Sequence, residues 1–415
     1  MNAAEEFADA HATDPRVLCW MRGSPPPVDK LIRYEDGSFY RFPQTRWSFS
    51  HWRQFWPTVG VARGAGPVRA LAVDERADLD GVRFVPMGGG ESLTWAASLH
   101  ANYTDGIVVL HRGRIIYERY FGELTPEKLH VCFSVTKSVF GTLAAMLIAE
   151  GTIERERHIA HYIPELGGSG FGDATVEQVL DMTTAIDFTE NYTGTAPATM
   201  KAYSRAIGFA SRGAGGPPKS IYSFLASVAK QGTHGDAFTY RTPNTDVVGW
   251  LIARVMGRSP AEVLSERIWS RMGVDADGCL VVDDDGTPQV GLSLNCRLRD
   301  LARFGELIRV GGRVDGDEII AARVIEDIRG GGSREAFEKS SYVHLKGWSY
   351  RNQWWVSHDD HGSFMARGIH GQVIYIDPAA EMVIARFASH PLASNTHLDP
   401  KSLPAYRAIA DHLMR

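Results

Sequence analysis

Short apolar runs flank turn residues at 107–120 and 373–387, and apolar positions recur with a helical period in several segments between and after them. Residues 107–110 and 115–120 flank one turn, and residues 373–376 and 382–387 flank another, so each pair predicts a β-hairpin. The last segment, 403–414, has helical spacing. Strands from distant parts of the chain, with helices between them, predict an α/β fold in which helices flank an antiparallel sheet.

The middle of the chain, about residues 150–300, is mostly helical by the same criterion. Helical spacing predicts helices over 175–182, 221–230, 245–256 and 260–272. Glycine-rich loops separate them, the longest at 211–218. We therefore expect an α/β domain built from residues 1–150 and 300–415, with a mainly helical domain, 151–299, inserted between them. A cleft at their boundary would favour a ligand site.

Residues 139–148 are apolar at nearly every position, which predicts a buried helix. Gly151 provides a common way to end it. The tetrapeptide 134–137, Ser-Val-Thr-Lys, comes directly before this segment. Residues three apart share one helix face, so we expect Lys137 to lie against the hydroxyl of Ser134. Burial and the helix N-terminus should lower the lysine pKa and favour the neutral amine, which can take a serine proton.

The same spacing occurs a second time at residues 227–230, Ser-Val-Ala-Lys. Apolar residues recur there at helical spacing from Ile221 to Val228, which is typical of an amphipathic helix with a surface lysine. A Ser-x-x-Lys match arises by chance about once per few hundred residues. Ser134 could also be a plain N-cap with a chance lysine, so the tetrapeptide alone leaves both interpretations open.

A serine with a lysine base still needs a third group to pass the proton to the leaving atom. Tyr240 is our candidate, because it precedes the predicted helix 245–256 and could face the lysine. A cationic neighbour would lower the pKa of its phenol. The alternative is a half-buried loop tyrosine bonded to the backbone.

Composition and charge exclude several classes of protein. A net charge of −5 without long charge runs argues against nucleic-acid or membrane-surface binding. No secretory signal, membrane-spanning apolar run or paired cysteine motif is visible, so we expect a cytoplasmic protein with free thiols. The histidine pairs at 158 and 161 and at 358 and 361 lack the further ligands of a zinc site. We expect neither a metal nor a cofactor, and the absence of G-x-S-x-G argues against an α/β-hydrolase.

Taken together, the motifs resemble those of the serine β-lactamase-like (penicillin-recognising) hydrolases, and among them the 6-aminohexanoate-dimer (nylon-oligomer) hydrolases. The resemblance covers most of the chain. It rests on 103–105 (Tyr-Thr-Asp), 134–138 (Ser-Val-Thr-Lys-Ser), 162–166 (Tyr-Ile-Pro-Glu-Leu), Tyr240 with 244–246 (Asn-Thr-Asp), 299–303 (Arg-Asp-Leu-Ala-Arg), 353–355 (Gln-Trp-Trp) and 368–372 (Gly-Ile-His-Gly-Gln). It implies a β-lactamase-like fold, in which helices flank an antiparallel sheet and a second domain is mostly helical.

The resemblance also implies the roles of the candidate catalytic residues. Ser134 would be the nucleophile, Lys137 its activating base and Tyr240 the proton relay to and from the leaving group. The backbone N–H groups of Ser134 and Ile369 would form the oxyanion hole. Two preorganised donors of this kind stabilise the alkoxide that builds up during attack.

Three substrate-binding residues follow from the resemblance: Tyr192, Tyr203 and His370. Tyr203 stands near the position where nylon-oligomer hydrolases can carry an aspartate for the substrate's amino group. The Lys-Thr-Gly strand of β-lactamases is replaced by Ala-Arg-Gly at 366–368, which argues against efficient β-lactam turnover.

The expected activity is hydrolysis of small linear amides or short-chain esters through an acyl-enzyme, by a protein that could form a homodimer. A family VIII-type carboxylesterase and a D-amino-acid peptidase are alternatives among enzymes. A non-catalytic, penicillin-binding-like sensor is the alternative outside them.

Overall fold

The computed structural model describes residues 7–191, 197–209 and 220–415. Its strands are β1 (Thr58–Val61), β2 (Arg83–Phe84), β3 (Leu93–Thr94), β4 (Thr104–His111), β5 (Arg114–Tyr120), β6 (His130–Val131), β7 (Gly278–Val281), β8 (Asn295–Cys296), β9 (Arg313–Val314), β10 (Asp317–Glu318), β11 (Ser349–Arg351), β12 (Trp354–Val356), β13 (Phe364–Gly368), β14 (Gln372–Asp377) and β15 (Met382–Ala388). Its α-helices are α1 (Pro15–Leu18), α2 (Thr45–Ser48), α3 (Trp95–Ala101), α4 (Val135–Ala149), α5 (Ile159–Tyr162), α6 (Val176–Leu180), α7 (Ala198–Ala206), α8 (Ile221–Ser227), α9 (Pro243–Met256), α10 (Pro260–Arg267), α11 (Leu298–Arg309), α12 (Ala322–Gly330), α13 (Arg334–Glu338) and α14 (Asp399–Leu413).

A seven-stranded antiparallel sheet, in the order β11-β12-β13-β14-β15-β4-β5, forms the centre of the fold. Along β4, Ile107 and Val109 pack with α3 and α14, whereas Val108 and Leu110 pack with α4 and α11. Successive strand side chains point to opposite faces, and helices cover both faces. The strand is therefore apolar at consecutive positions rather than at alternate ones. This arrangement confirms the predicted fold class.

The predicted local elements are confirmed with shifted ends. The two hairpins are β4–β5 and β14–β15, and the C-terminal helix is α14. Helices α6, α9 and α10 lie in the segments that helical spacing predicts. Helix α8 ends at Ser227, three residues before the predicted end, because Val228 adopts an extended conformation. The predicted glycine-rich loop at 211–218 lies outside the described residues.

A second sheet of four short strands, in the order β1-β7-β8-β6, lies beside the start of α4. Strands β7 and β8 come from the region 151–299, which therefore contributes strands as well as helices. Strand β8 pairs with β6, and Cys132 continues the contact through its N–H to the carbonyl of Leu294 at 2.7 Å. The division into two domains stays a prediction.

Aromatic side chains from the N-terminal region form one buried cluster against this small sheet. It contains Trp20, Ile32, Phe39, Trp47, Phe49, Trp52, Trp56, Val131, Phe133 and Val281. Trp47 and Trp52 lie on single turns of helix, so the packing of large rings, rather than long regular elements, orders this part of the chain. In the described residues, every helix is too short or too polar to cross a membrane.

Candidate active site

Ser134 stands where the chain leaves β6 and enters α4, and it is the N-cap residue of that helix. Lys137 follows one turn later, and its Nζ lies 2.9 Å from the Ser134 Oγ. The serine is 5% exposed and the lysine is completely buried. The predicted contact between the two side chains is therefore present, at the mouth of a buried helix.

Phe133, immediately before the serine, holds the left-handed backbone conformation with φ +43°. This conformation is strained for a bulky residue and persists only where the surroundings enforce it. The Phe133 ring packs at 4.9 Å from Phe49 and 5.5 Å from Trp52, measured between ring centroids. Aromatic packing from the N-terminal region thus determines how the chain enters α4 and where Ser134 stands.

The surroundings of Lys137 favour its neutral form. Burial lowers the pKa of its amine from 10.5 to about 8, while the charges of Glu190 and Asp246 act in the opposite direction. The Nζ also donates a hydrogen bond to the carbonyl oxygen of Gly291. The predicted decrease of the lysine pKa is confirmed, and its main cause is desolvation.

Tyr240 lies on the other side of the lysine, with its ring centroid 5.3 Å from the Nζ. The ring stacks on Trp355 at 5.5 Å. Burial raises the pKa of the phenol well above 10, and its hydrogen bond with Ser134 reduces the increase only in part. The predicted lowering of this pKa is wrong, because desolvation and the charge of Glu190 outweigh the hydrogen bond with Ser134 and the charge of Arg367. Tyr240 is therefore a protonated phenol at neutral pH.

The end of β13 closely approaches the backbone of the serine. A Cβ at Gly368 would lie 2.7 Å from the carbonyl oxygen of Cys132 and 3.1 Å from the amide nitrogen of Ser134. Only glycine allows the strand to come this close. Ile369 follows directly and lines the same cleft as Ser134. The two amide groups expected to bind an oxyanion thus belong to backbones that are in contact.

A cleft of about 980 Å³ opens above Ser134. Its described lining comprises Tyr40, Ser134, Phe188, Thr189, Glu190, Asn191, Phe238, Thr239, Tyr240, Arg241, Lys339, Ser340, Ser341, Tyr342, Trp355, Arg367, Ile369, His370, Pro391, Leu392, Ala393, Ser394, Asn395, Thr396 and His397. These residues come from the N-terminal region, the middle of the chain and the C-terminal strands. The cleft is therefore large enough for a small organic substrate and is assembled from distant segments.

A family model described as Beta-lactamase matches residues 101–402, which is most of the chain. That span contains the buried Ser134–Lys137 pair, Tyr240 and the end of β13. The chain belongs to the beta-lactamase family. It is a serine hydrolase of this family.

Known relatives agree with this assignment. The 6-aminohexanoate-dimer hydrolase of Paenarthrobacter ureafaciens is 32% identical over 87% of this chain and 89% of its own. A solved structure from Bacillus anthracis, named as a candidate 6-aminohexanoate-dimer hydrolase, is 29% identical, covers 94% of this chain and 99% of its own, and superposes with a TM-score of 0.84. A D-stereospecific amidohydrolase from a Streptomyces species shares the fold, with a TM-score of 0.54 at 16% identity over 74% of this chain and 97% of its own.

Two of the substrate-binding residues expected in this beta-lactamase-family hydrolase can be placed. His370 lines the cleft, but its Nδ1 donates to the carbonyl of His390 at 2.6 Å and its Nε2 lies 3.0 Å from the Tyr40 hydroxyl. Burial lowers the pKa of His370 to about 4, so the ring is neutral and accepts from Tyr40. Both ring nitrogens of His370 thus bond within the protein and stabilise the wall of the cleft. Tyr192 lies outside the described residues.

Tyr203 is placed differently from the expectation. It is 2% exposed, belongs to the apolar core, and is not among the described residues that line the cleft. Its hydroxyl donates to the Asp246 carboxylate at 2.6 Å. Direct contact with substrate is therefore not supported for Tyr203, because its hydroxyl points to a buried acid behind the lysine.

Sequence reasoning missed several residues of the site. Tyr40 and Glu190 line the cleft, and Gly291 contacts Lys137, without a motif that marks any of them. Asp246 lies within the Asn-Thr-Asp motif that carried part of the resemblance, but the motif gave no role to it. Across the described ranges, no group of three or more His, Cys, Asp and Glu side chains is arranged to hold a metal ion.

Proposed function

We propose that Ser134 forms an acyl-enzyme with small linear amides or short-chain esters. The observation that carries this proposal is the 2.9 Å distance between the Lys137 Nζ and the Ser134 Oγ inside a buried site that opens on the cleft. A buried amine with a lowered pKa can take the hydroxyl proton as the oxygen attacks a carbonyl carbon.

The remaining groups account for the other charges and protons of the reaction. The N–H groups of Ser134 and Ile369 receive the developing oxyanion, an interaction that contributes several kcal/mol in such sites. The proton on Lys137 then passes through the Tyr240 hydroxyl to the leaving nitrogen or oxygen. Tyr240 suits this role because its phenol stays protonated while it contacts both the lysine and the serine. Water finally hydrolyses the acyl-enzyme by the reverse path.

The charges of the cleft indicate which small substrates suit it. Arg241, Lys339 and Arg367 are cationic, whereas Glu190 is the acidic side chain of the described lining. Lys339 pairs with Asp236 and Arg367 pairs with Asp399, so the site as a whole is close to neutral and suits a small amide or ester without a net charge. The relatives' activity on a linear amide dimer of an amino acid supports the same class of substrate.

Mass spectrometry of the intact protein tests the proposal. The purified enzyme is mixed with p-nitrophenyl acetate, with p-nitrophenyl butyrate or with 6-aminohexanoate dimer, and quenched in acid within seconds. We expect the mass of one acyl group on the peptide that contains Ser134, together with continued release of product. An acyl group on another residue would overturn the proposal. A single equivalent of product without turnover would instead indicate a penicillin-binding-like sensor.

A further inference from the structure

A buried carboxylate lies behind Lys137, on the side that does not face the cleft. Asp246 is in the first turn of α9 and is 2% exposed. Its Oδ2 accepts from the hydroxyl of Tyr203 at 2.6 Å, and its Oδ1 accepts from the N–H of Gly291 at 3.2 Å. Both donors are neutral, so these contacts position the carboxylate without cancelling its charge.

Gly291 links this carboxylate to the catalytic lysine. Its N–H donates to Asp246, and its carbonyl oxygen accepts from the Lys137 Nζ. A Cβ at Gly291 would lie 2.7 Å from the Thr242 Cγ2 and 3.2 Å from the Asp246 Oδ1. The absence of a side chain at this position therefore lets the Gly291 backbone approach the start of α9 closely enough to bond both to the acid and to the base.

The charges of the two side chains act on each other through this arrangement. Burial raises the pKa of Asp246 to about 6, and the charge of Lys137 lowers it in part. The other titratable groups that act on the pair are Tyr203, Tyr222, Tyr240, Glu190 and Asp283. Glu190 differs from Asp246 because it lines the open cleft, where solvent and substrate can screen its charge.

We propose that Asp246 is the buried counter-charge of Lys137, held in place by Tyr203 and Gly291, and that it stabilises the ammonium formed during acylation. This inference rests on the function proposed for Ser134 and Lys137. As the Ser134 oxygen forms its bond to the substrate carbonyl carbon, its proton moves to the lysine, which becomes cationic in a dry site. Asp246 accepts no proton, and the ammonium passes its proton on through Tyr240. Asp246 is thus a positioning residue, comparable in its logic to the acid behind the histidine of a Ser-His-Asp triad.

The test is the pH dependence of kcat/KM for p-nitrophenyl butyrate in Asp246→Asn. This substitution preserves the shape and removes the charge. Without the carboxylate, burial lowers the lysine pKa further, so we expect the acid limb to move down by about one pH unit. We also expect kcat to fall by about tenfold or more, with KM nearly unchanged, because the ammonium loses its counter-charge. Asp246→Glu should restore part of the wild-type profile.

Two further variants separate this role from a structural one. Tyr203→Phe removes one donor to the carboxylate, so its acid limb should move in the same direction by a smaller amount; it also decides the question if Asp246→Asn fails to fold. Asp300→Asn removes another buried acid from the first turn of a helix, where it bonds to Arg303, and should lower the melting temperature without moving the limb. If the acid limb of the kcat/KM profile stays in place in folded Asp246→Asn and in Tyr203→Phe, the inference is overturned. Failure of wild-type protein to acylate at Ser134 would instead reject the proposed function.

Discussion

The chain contains Ser-x-x-Lys twice, at 134–137 and at 227–230. The two copies differ in burial and in the conformation of the chain after the serine. Ser134 and Lys137 lie on one face of α4, in contact and buried. Ser227 is the last residue of α8, where its hydroxyl donates to the carbonyl of Phe224 at 2.7 Å. The chain is extended after it, so Lys230 turns away and pairs with Asp173 at the surface. A shared spacing brings the two side chains together only where a helix continues through both residues.

The two lysines also differ, because Lys137 is buried and Lys230 is exposed. Desolvation lowers the pKa of Lys137, and the hydroxyl of Ser134, the ring of Tyr240 and the carbonyl oxygen of Gly291 surround its amine. The Lys230 side chain is 39% exposed and its partner Asp173 is 56% exposed. Such surface pairs contribute about 0–1 kcal/mol to stability. The chemistry that we propose for Ser134 and Lys137 therefore depends on burial more than on the motif.

Removal of the two serines should show the largest difference. Ser134→Ala is expected to lower kcat for p-nitrophenyl butyrate by about 10⁴-fold or more, because the nucleophile is lost. Ser227→Ala is the matched control and should retain wild-type kinetics, since it removes only a bond at a helix end. Steady-state assays of both folded variants measure this difference in kcat. Equal activity of the two variants would contradict the assignment of Ser134 as the nucleophile.

Replacement of the two lysines should show the next largest difference. Lys137→Met keeps a buried chain of similar length and removes the base, so we expect kcat to fall by about 10²- to 10⁴-fold. Lys230→Met should leave kcat within about twofold and change the free energy of unfolding by less than about 1 kcal/mol. Kinetics and urea titration measure these two effects. A large loss of activity in Lys230→Met would contradict our account.

A glycine pair tests the approach of β13 to the serine backbone. In Gly368→Ala the new methyl group would lie against the Cys132 carbonyl and the Ser134 amide, so the oxyanion donors should move. We expect kcat to fall by about 10²-fold with a small change in KM. Gly60→Ala is the control, because a Cβ there would meet nothing within 4 Å. Similar kinetics for both variants would show that donor placement does not depend on this contact.

The pH profile should show the mildest and most graded effect. Lys137 acts as a base only when neutral, and its pKa is lowered from 10.5 to about 8. Activity should therefore rise with pH, about tenfold per unit below the lysine pKa, and level off well below pH 10.5. Lys230→Met should have the same profile. A profile that rises up to the ordinary lysine pKa would show that Lys137 is solvated or is not the base.

Local features of the fold were predictable because they depend on neighbours along the chain. The hairpin 107–120 and the helix that begins after Ser134 follow from periodicity and a stop at Gly151. The aromatic cluster around Phe133 was not predictable, because no periodic pattern shows that rings from residues 20–56 meet at that point. The raised phenol pKa of Tyr240 escaped prediction for a related reason. The direction of the pKa shift of Tyr240 depends on how completely the fold removes water from its hydroxyl.

Amino-acid order alone determined the helix that carries Ser134 and Lys137, the hairpins of the main sheet and the ordered motifs of the beta-lactamase family. Only the tertiary structure decided how completely Ser134 and Lys137 are withdrawn from water, and that Tyr203 faces Asp246 rather than the cleft. The physical reason is that periodicity acts over a few residues, whereas desolvation and charge depend on segments far apart in the chain. Gly291, Asp246 and Gly368 influence Ser134 and Lys137 because folding brings them together.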